Sequence, residues 1–146
     1  MSTILEQYNT EQLRERLMEF PRRIKEQKAV VREAREEAEG LRRELEVVEA
    51  ELFTDIQSEI DGDTNKPKFS NEKAREAELK RRKANDPEYS EKAEEVRQAE
   101  RKQAEQQDYL EQLIDEYKSY RYITRLTVEE LSLHNEEEKE ESAQMF

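Results

Sequence analysis

The chain has 146 residues, of which 44% are charged and 33% are hydrophobic, with two glycines, three prolines and no cysteine. This composition excludes a compact multilayer core, but it suits long helices, which need only two or three apolar residues per heptad. The absence of cysteine excludes a disulfide framework and a thiolate metal site. The net charge of −12 opposes non-specific attraction to nucleic acid or to anionic membranes. No apolar run reaches membrane-spanning length and no signal-peptide layout is seen, so we expect a cytoplasmic protein that does not bind membranes.

A heptad pattern begins near the N-terminus and continues for some forty residues. Alternating steps of four and three reach Leu13, Leu17, Phe20, Ile24, Gln27, Val31, Ala34, Ala38, Leu41, Leu45, Val48 and Leu52. Only Gln27 in this seam is polar. The pattern predicts a long helix packed along its length on another helix, as in a coiled coil.

Two residues within this first arm are poor helix formers. Pro21 either kinks the helix near Phe20 or ends a short helix there, and the unbroken phase of the seam favours the kink. Gly40 either permits close approach of another helix or is tolerated on the outer face. We therefore expect arm one to span about 10–60.

The segment 61–69 contains Gly, Asp, Asn and Pro in close succession, which predicts a turn. Ser70 or Asn71 is expected to cap the next helix, and Asp86 followed by Pro87 marks another helix start. Arm two is therefore predicted in two pieces, about 71–84 and 87–132. The predicted organisation is a single helical-hairpin domain over 1–134, followed by an acidic flexible tail over 135–146.

The second arm carries its own seam. It comprises Val96, Ala99, Leu110, Leu113, Tyr117 and Tyr120, and continues with a shifted phase through Ile123, Leu126 and Leu131. Two nearly equal arms predict an antiparallel hairpin in which, at a uniform helical rise, paired residue numbers add to about 131. That register places Phe20 near Leu110 and Leu113, and Leu13 near Tyr117 and Tyr120.

The charges of the two arms support this pairing. Residues 32–60 contain ten acids and four bases, whereas the facing residues 71–85 contain six bases and three acids. Apolar residues also adjoin the seam and widen the apolar stripe: Met18, Val30, Val47, Phe53 and Ile114. The widened stripe favours a homodimer in the form of an elongated four-helix bundle, with an elongated monomer as the alternative.

Part of the turn matches a calcium-binding loop. Asp61, Asp63, Asn65 and Glu72 fall at positions 1, 3, 5 and 12 of the EF-hand template. Lys66, however, stands where that template needs glycine, and a lysine beside the site would oppose a divalent cation. An ordinary polar turn without a metal is therefore the favoured interpretation.

Basic residues concentrate at the predicted hairpin tip. The candidate contacts to a partner or to phosphate are Lys66, Lys68, Arg75, Lys80, Arg81, Arg82 and Lys83. The favoured alternative is that these side chains neutralise the acidic first arm. A second, milder basic cluster lies within 22–28. Near the far end, base stacking is a hypothesis for Tyr109, Tyr117, Tyr120 and Tyr122, although Tyr117 and Tyr120 lie on the seam and are expected in the core.

Nothing in the sequence indicates catalysis. His134 is the only histidine and has no cysteine or clear carboxylate partner, so neither a zinc site nor a nucleophile–base pair is expected. The many carboxylates lie on solvated helix faces, where no dry pocket tunes their proton affinity. No glycine-rich phosphate loop is present. We predict a non-enzyme without cofactors.

One stretch resembles a known group of proteins. The segment Lys66-Pro67-Lys68-Phe69-Ser70-Asn71-Glu72-Lys73-Ala74-Arg75, followed by Asn85-Asp86-Pro87-Glu88-Tyr89, is similar to a pattern in small helical proteins encoded by phages and prophages. The resemblance covers about a fifth of the chain (61–90), and Lys66 departs from it, since glycine often precedes the lysine in that group. Some members sit among replication or recombination functions, so the resemblance implies an accessory or DNA-linked role and supplies no catalytic residues.

These observations lead to two functional hypotheses. The first is a non-enzymatic coiled-coil scaffold or protein-interaction module, phage- or prophage-derived and homodimeric, whose tip over 61–83 engages an unknown protein partner. The alternative is an accessory nucleic-acid-binding factor in replication or recombination that uses the same basic tip.

Overall fold

The computed structural model describes residues 9–144, and in this range the chain is all-α, as predicted. Helix α1 spans Thr10–Ser58, α2 spans Glu72–Asn85 and α3 spans Pro87–Gln144. Within the described range no strand forms, and only an isolated antiparallel bridge joins Ile60 to Pro67. None of these helices is long and apolar enough to cross a membrane.

The chain forms two compact units. The terminal unit comprises Met1–Val30 and Gln107–Phe146, and the central unit comprises Val31–Gln106. The single domain over 1–134 stays a prediction, and its residues 1–8, like residues 145–146 of the predicted tail, lie outside the described range.

Helix α1 continues without interruption through its proline. Pro21 lies inside the helix, so the alternative in which a short helix ends there is wrong. The seam residue Phe20 beside it is 1% exposed, and its burial helps to offset the hydrogen bond that proline removes. Gly40 faces open space, since a Cβ there would meet nothing within 4 Å. It is therefore tolerated and does not mark a close helix approach.

Aromatic rings form the centre of the terminal unit. The Phe20 ring lies 5.6 Å from that of Tyr117 and 5.3 Å from that of Tyr120, both tilted. The predicted register placed these tyrosines beside Leu13, so the observed contact lies about two turns further along α1. The second arm uses nine residues from Lys83 to Lys92 where α1 uses five from Glu44 to Glu49, because the helix breaks at Asp86. The partner numbers beyond this break are therefore higher than a uniform rise predicts. Leu110 and Leu113 are also buried in this unit.

Beyond Tyr120, α3 buries threonines where the sequence predicted isoleucine and leucine. Thr127 is buried, whereas Ile123 and Leu126 are exposed, so the shifted phase is wrong for these two residues. The hydroxyls of Thr124 and Thr127 donate to backbone carbonyls one turn back, at 2.8 and 2.9 Å. This internal hydrogen bond satisfies the hydroxyl and leaves the methyl group free to pack.

The central unit has a core of small and β-branched side chains. Ala38 and Ile56 have no exposed surface, and charged pairs on the flanks join α1 to α3: Arg42–Glu100 at 2.7 Å, Glu44–Lys92 at 2.8 Å and Glu37–Lys102 at 3.4 Å. The remaining buried apolar residues here lie on the predicted seams: Val31, Ala34, Val48, Val96 and Ala99. Leu41, Leu45 and Leu52 of the same predicted seam are half-buried.

Side-chain caps begin α2 and α3 where the sequence predicts them. The Asn71 side chain accepts a hydrogen bond from the amide of Ala74 at 2.7 Å, so Asn71 and not Ser70 is the cap. The Asp86 carboxylate accepts from the amide of Tyr89 at 3.1 Å. Each cap satisfies an amide that has no partner within its helix.

Helix α3 extends beyond its predicted end near residue 132. Residues 135–144 are helical, although the sequence predicted a flexible tail from residue 135. This stretch consists mostly of Glu, Lys, Ala and Gln, which are good helix formers, and it contains neither glycine nor proline. An exposed pair between His134 and Glu138, 3.1 Å apart, spans one turn and adds local support.

Candidate functional site

The turn after α1 is held mainly by its own backbone. The amide of Asp61 donates to the carbonyl of Lys66 and the amide of Asn65 to the carbonyl of Asp61, both at 2.8 Å. Asn65 has a φ of 56°, a left-handed conformation that asparagine tolerates better than most residues. The amide of Lys68 donates to the carbonyl of Glu59 at 3.0 Å and ties the end of the turn back to its start.

The acidic residues of this turn act as local acceptors. An Asp61 carboxylate oxygen accepts a hydrogen bond from the amide of Asp63 at 3.1 Å, which is an Asx-type turn. In the range 9–144, no group of three or more His, Asp or Glu side chains is placed to hold a metal ion.

Glu78 on α2 binds two consecutive arginines. Its carboxylate accepts from Arg81 at 2.5 and 3.0 Å and from Arg82 Nε at 2.8 Å. The hydrogen bonds from Arg81, followed by those from Arg82, lower the pKa of Glu78 to about 2. The same carboxylate raises the pKa of both guanidinium groups, so all three groups stay charged together.

Arg82 and Lys83 also reach acidic residues at and near the C-terminal end of α1. Arg82 Nη2 lies 2.5 Å from a carboxylate oxygen of Glu59, and Lys83 Nζ lies 2.7 Å from one of Glu49. Both cations are half-buried, in contrast to Arg81, which is largely exposed. These two members of the candidate set therefore pair with α1, as the neutralisation hypothesis predicts.

Aromatic rings engage three of the cations. Lys68 Nζ lies 5.6 Å from the centre of the Phe69 ring, and the Arg82 guanidinium lies 5.9 Å from the same ring. Lys83 Nζ lies 5.4 Å from the ring of Tyr89. Contacts of this geometry attract a cation to the face of the ring. Sequence reasoning did not assign this role to either ring.

The seven candidate residues divide into two sets. Arg81, Arg82 and Lys83 form ion pairs, and Lys68 packs on Phe69. The other three form no ion pair with any residue in the described range; Lys66 and Lys80 are exposed and Arg75 is half-buried. We call Lys66, Arg75 and Lys80 the free basic set. The role of these three residues in a site stays a prediction.

The second basic cluster and the tyrosines are partly engaged. Arg22 lies 3.8 Å from Glu26, and Arg23 donates to the hydroxyl of Tyr109 at 3.2 Å. Tyr117 and Tyr120 pack on the core residue Phe20, whereas the predicted register placed them beside Leu13.

A further basic group was missed. It lines a shallow concavity on α3 and comprises Lys118, Arg121, Tyr122 and Arg125. Arg121, Tyr122 and Arg125 follow Lys118 by three, four and seven residues. This spacing in the sequence predicts that the four side chains share one face of a helix.

Comparisons with known proteins supply no further assignment. No protein-family model matches the chain, and neither a curated protein nor a solved structure matches it.

Proposed function

We propose that the chain is a non-enzymatic scaffold or protein-interaction module built as an antiparallel helical hairpin. One observation carries this proposal. The ion pairs between α1 and the later helices run in opposite chain order, from Glu37–Lys102 through Glu44–Lys92 to Glu49–Lys83. As the residue number rises along α1, the partner's number falls, which is the pattern of two antiparallel neighbours in the central unit.

Burial of the seam supports the coiled-coil part of the proposal. In the central unit Val31, Ala34 and Ala38 of α1 are buried at heptad spacing, and so are Val96 and Ala99 of α3. Small residues on both helices allow close approach, while charged residues flank them on the outside. A surface built in this way offers long helical faces to a binding partner.

The free basic set is the proposed contact with a partner. In a hairpin these side chains lie at or near the tip, and the neighbouring arginines are already committed to Glu78 and Glu59. Cations without an internal partner suit an acidic segment of another protein, since both sides then gain charge pairs on binding. The tip thus combines arginines that are paired within the chain with the free basic set, which is available to a partner.

A second candidate function is an accessory nucleic-acid-binding factor. The same three unpaired cations favour it, and so does the resemblance of 61–90 to phage and prophage proteins near replication functions. The net charge of −12 opposes it, because phosphate binding requires local cations to outweigh the repulsion from the rest of the chain.

Oligonucleotide binding separates the two candidates. We expect no change in fluorescence anisotropy when single- or double-stranded oligonucleotides are mixed with the protein at low salt, where charge attraction is least screened. Binding with a steep salt dependence would contradict the scaffold proposal.

If binding occurs, a triple variant locates it. Under the second candidate, Lys66→Glu, Arg75→Glu and Lys80→Glu together abolish binding. Arg14→Glu, Arg32→Glu and Arg35→Glu form the control, since these arginines are exposed, form no ion pair in the described range and undergo the same charge change.

We also propose that the scaffold self-associates. Among the residues that widen the seam, Met18, Val30 and Val47 are exposed, whereas Phe53 and Ile114 are half-buried. A second copy that covers these exposed apolar residues removes them from water, which lowers the free energy of association. The four-helix bundle is the form predicted from the sequence; light scattering on the purified protein gives the mass that tests for a dimer.

A further inference from the structure

The C-terminal part of α3 carries an apolar face that the described residues leave open. Tyr122, Ile123, Leu126 and Leu133 are 59%, 45%, 40% and 60% exposed. At 100° per residue these positions fall within an arc of about 100° around the helix axis. Next to this arc, beyond Ile123, Thr127 is buried and Thr124 and Leu131 are half-buried, whereas Val128 still further round is exposed. The exposed face is therefore separate from the one that packs within the terminal unit.

This part of the helix is also polarised in charge. Between Tyr117 and Val128 the sequence contains Lys118, Arg121 and Arg125 and no acidic residue. From Glu129 to Gln144 it contains a single base, Lys139, and the following acids: Glu129, Glu130, Glu136, Glu137, Glu138, Glu140 and Glu141. One half of the segment is thus positive and the other strongly negative.

The charges beside the apolar face have no ion-pair partner within residues 9–144. This is true of Lys118 and Arg125 in the basic half and of Glu129 and Glu136 in the acidic half, all of which are exposed. Their spacing of seven, four and seven residues puts them along one flank of the face. An apolar face with unpaired, sign-segregated charges on its flank is the arrangement that a helical partner of opposite polarity would complete.

We infer that this segment, 118–141, binds the same segment of a second copy in antiparallel orientation. A two-fold axis level with Thr127 brings Lys118 of one copy beside Glu136 of the other, and Arg125 beside Glu129. The same operation covers the exposed apolar residues of both copies. The interface is isologous, because each copy contributes both halves of every charge pair. This inference rests on the self-association proposed above and places a contact between the copies on α3, apart from the exposed residues of α1 named there.

The charge pattern selects the second copy over other occupants. A parallel pairing would place positive beside positive and negative beside negative, so only the antiparallel arrangement is favourable. An anionic membrane would repel the acidic half. The segment's own sequence is the one partner present at equal concentration that complements both halves.

Charge-reversal variants test this interface. The acidic variant carries Lys118→Glu and Arg125→Glu, and the basic variant carries Glu129→Arg and Glu136→Arg. All four positions are exposed, so circular dichroism should show unchanged helicity. In sedimentation equilibrium we expect each variant alone to self-associate at least about tenfold more weakly than the natural sequence, because like charges then meet across the axis. Mixing the two variants should restore a dimer, since opposite charges meet again.

The possible results are distinguishable. Recovery of the dimer on mixing, with the control pair Arg32→Glu and Arg35→Glu leaving self-association unchanged, supports the interface. If both variants dimerise as tightly as the natural sequence, the contact lies elsewhere: this inference is overturned and self-association stands. If each variant alone is monomeric and the mixture forms no dimer, the antiparallel charge pairing is wrong. If the natural sequence is monomeric, self-association fails together with this interface, while the hairpin and its tip are unaffected.

Discussion

Glu78 accepts hydrogen bonds from two arginines at once, and this sets the orientation of the basic residues on α2. Without a carboxylate at this position, Arg81 and Arg82 would lie next to each other with only Glu59 to offset their charge. The carboxylate thus turns part of an apparent cationic patch into an internally compensated one. This distinction decides which cations can meet a partner.

The low pKa of Glu78 predicts a pH dependence of folding. The hydrogen bonds from Arg81 and then Arg82 hold this pKa at about 2 in the folded chain, below the ordinary value of 4.5. A depressed carboxyl pKa contributes stability that is fully present above the ordinary value and is lost as the pH falls toward the folded value. We expect the free energy of unfolding of the natural chain to exceed that of Glu78→Gln, and this difference to shrink as the pH falls from about 4.5 to about 2.

Urea unfolding across this pH range measures the effect. The matched control is Glu76→Gln, the same chemical change on an exposed α2 side chain that forms no ion pair in the described range. The difference in free energy of unfolding between the natural chain and this control should stay constant with pH. A constant difference for Glu78→Gln as well would show that its hydrogen bonds to the two arginines do not stabilise the fold.

Residue-level features of the candidate site were only partly predictable. The seven cations could be read from the sequence because like charges cluster there. The partners could not, since Glu59 is distant in sequence, and the contact of Phe69 with both Lys68 and Arg82 depends on how the turn closes. Lys66, Arg75 and Lys80, which have neither an ion pair nor a ring contact among residues 9–144, can be singled out only once these contacts are known.

At the scale of elements, side-chain caps determine where α2 and α3 begin. Asn71 has an extended backbone, with φ −117° and ψ 160°, and its side chain binds the amide of Ala74. The cap separates the turn from the helix that carries most of the basic residues. Its loss would therefore loosen the start of α2 and with it the position of Arg75.

Replacing this cap gives a measurable prediction. Asn71→Ala should lower the free energy of unfolding by about 1 kcal/mol, the usual cost of losing a helix N-cap. Thermal or urea unfolding followed by circular dichroism provides the measurement. Ser70→Ala is the matched control, since serine is an equally good capping residue but makes no such contact here; it should change stability little. Equal effects of the two substitutions would contradict the assignment of the cap.

The elements themselves were largely predictable, because periodicity and helix stop signals are local properties. The heptad spacing from Leu13 to Leu52 predicted a long helix, and the cluster of Gly, Asn and Pro after Asp61 predicted its end. The burial of Thr127 was not predicted, since the heptad pattern is defined by apolar residues and threonine is polar. Its hydroxyl donates a hydrogen bond to the carbonyl of Ile123, so that the side chain can be buried. The helical course of 135–144 was missed for a similar reason: acidic composition suggested a frayed tail, whereas glutamate is a good helix former.

At the scale of the whole molecule, three proposed features combine into one account. The central unit contains buried small residues and α1–α3 ion pairs, the tip offers the free basic set, and α3 ends in a self-complementary segment. Each feature uses charge in a different way: to pair helices, to attract an acidic partner and to orient a second copy. A chain with 44% charged residues can assign these roles separately, because helices keep each charge at a fixed place along a surface.

The central claim is that α1 pairs with α3 within one chain. Its most direct test is the distance between two spin labels, measured by double electron–electron resonance. The chain has no cysteine, so Glu36→Cys and Arg101→Cys label only these exposed sites, next to the Glu37–Lys102 pair. Because packed helices lie 8–10 Å apart, we expect a narrow label distance of roughly 15–25 Å. Labels at Glu36 and Glu51, along α1 alone, provide the reference at about 22 Å.

Dilution with unlabelled protein, refolded together with the labelled chain, separates the two ways of making this contact. Antiparallel pairing within one chain predicts that the short distance and its amplitude persist in an excess of unlabelled chain. Loss of the signal on dilution would show that the arms come from different chains, and a broad, long distribution at any dilution would show that α1 and α3 are not paired.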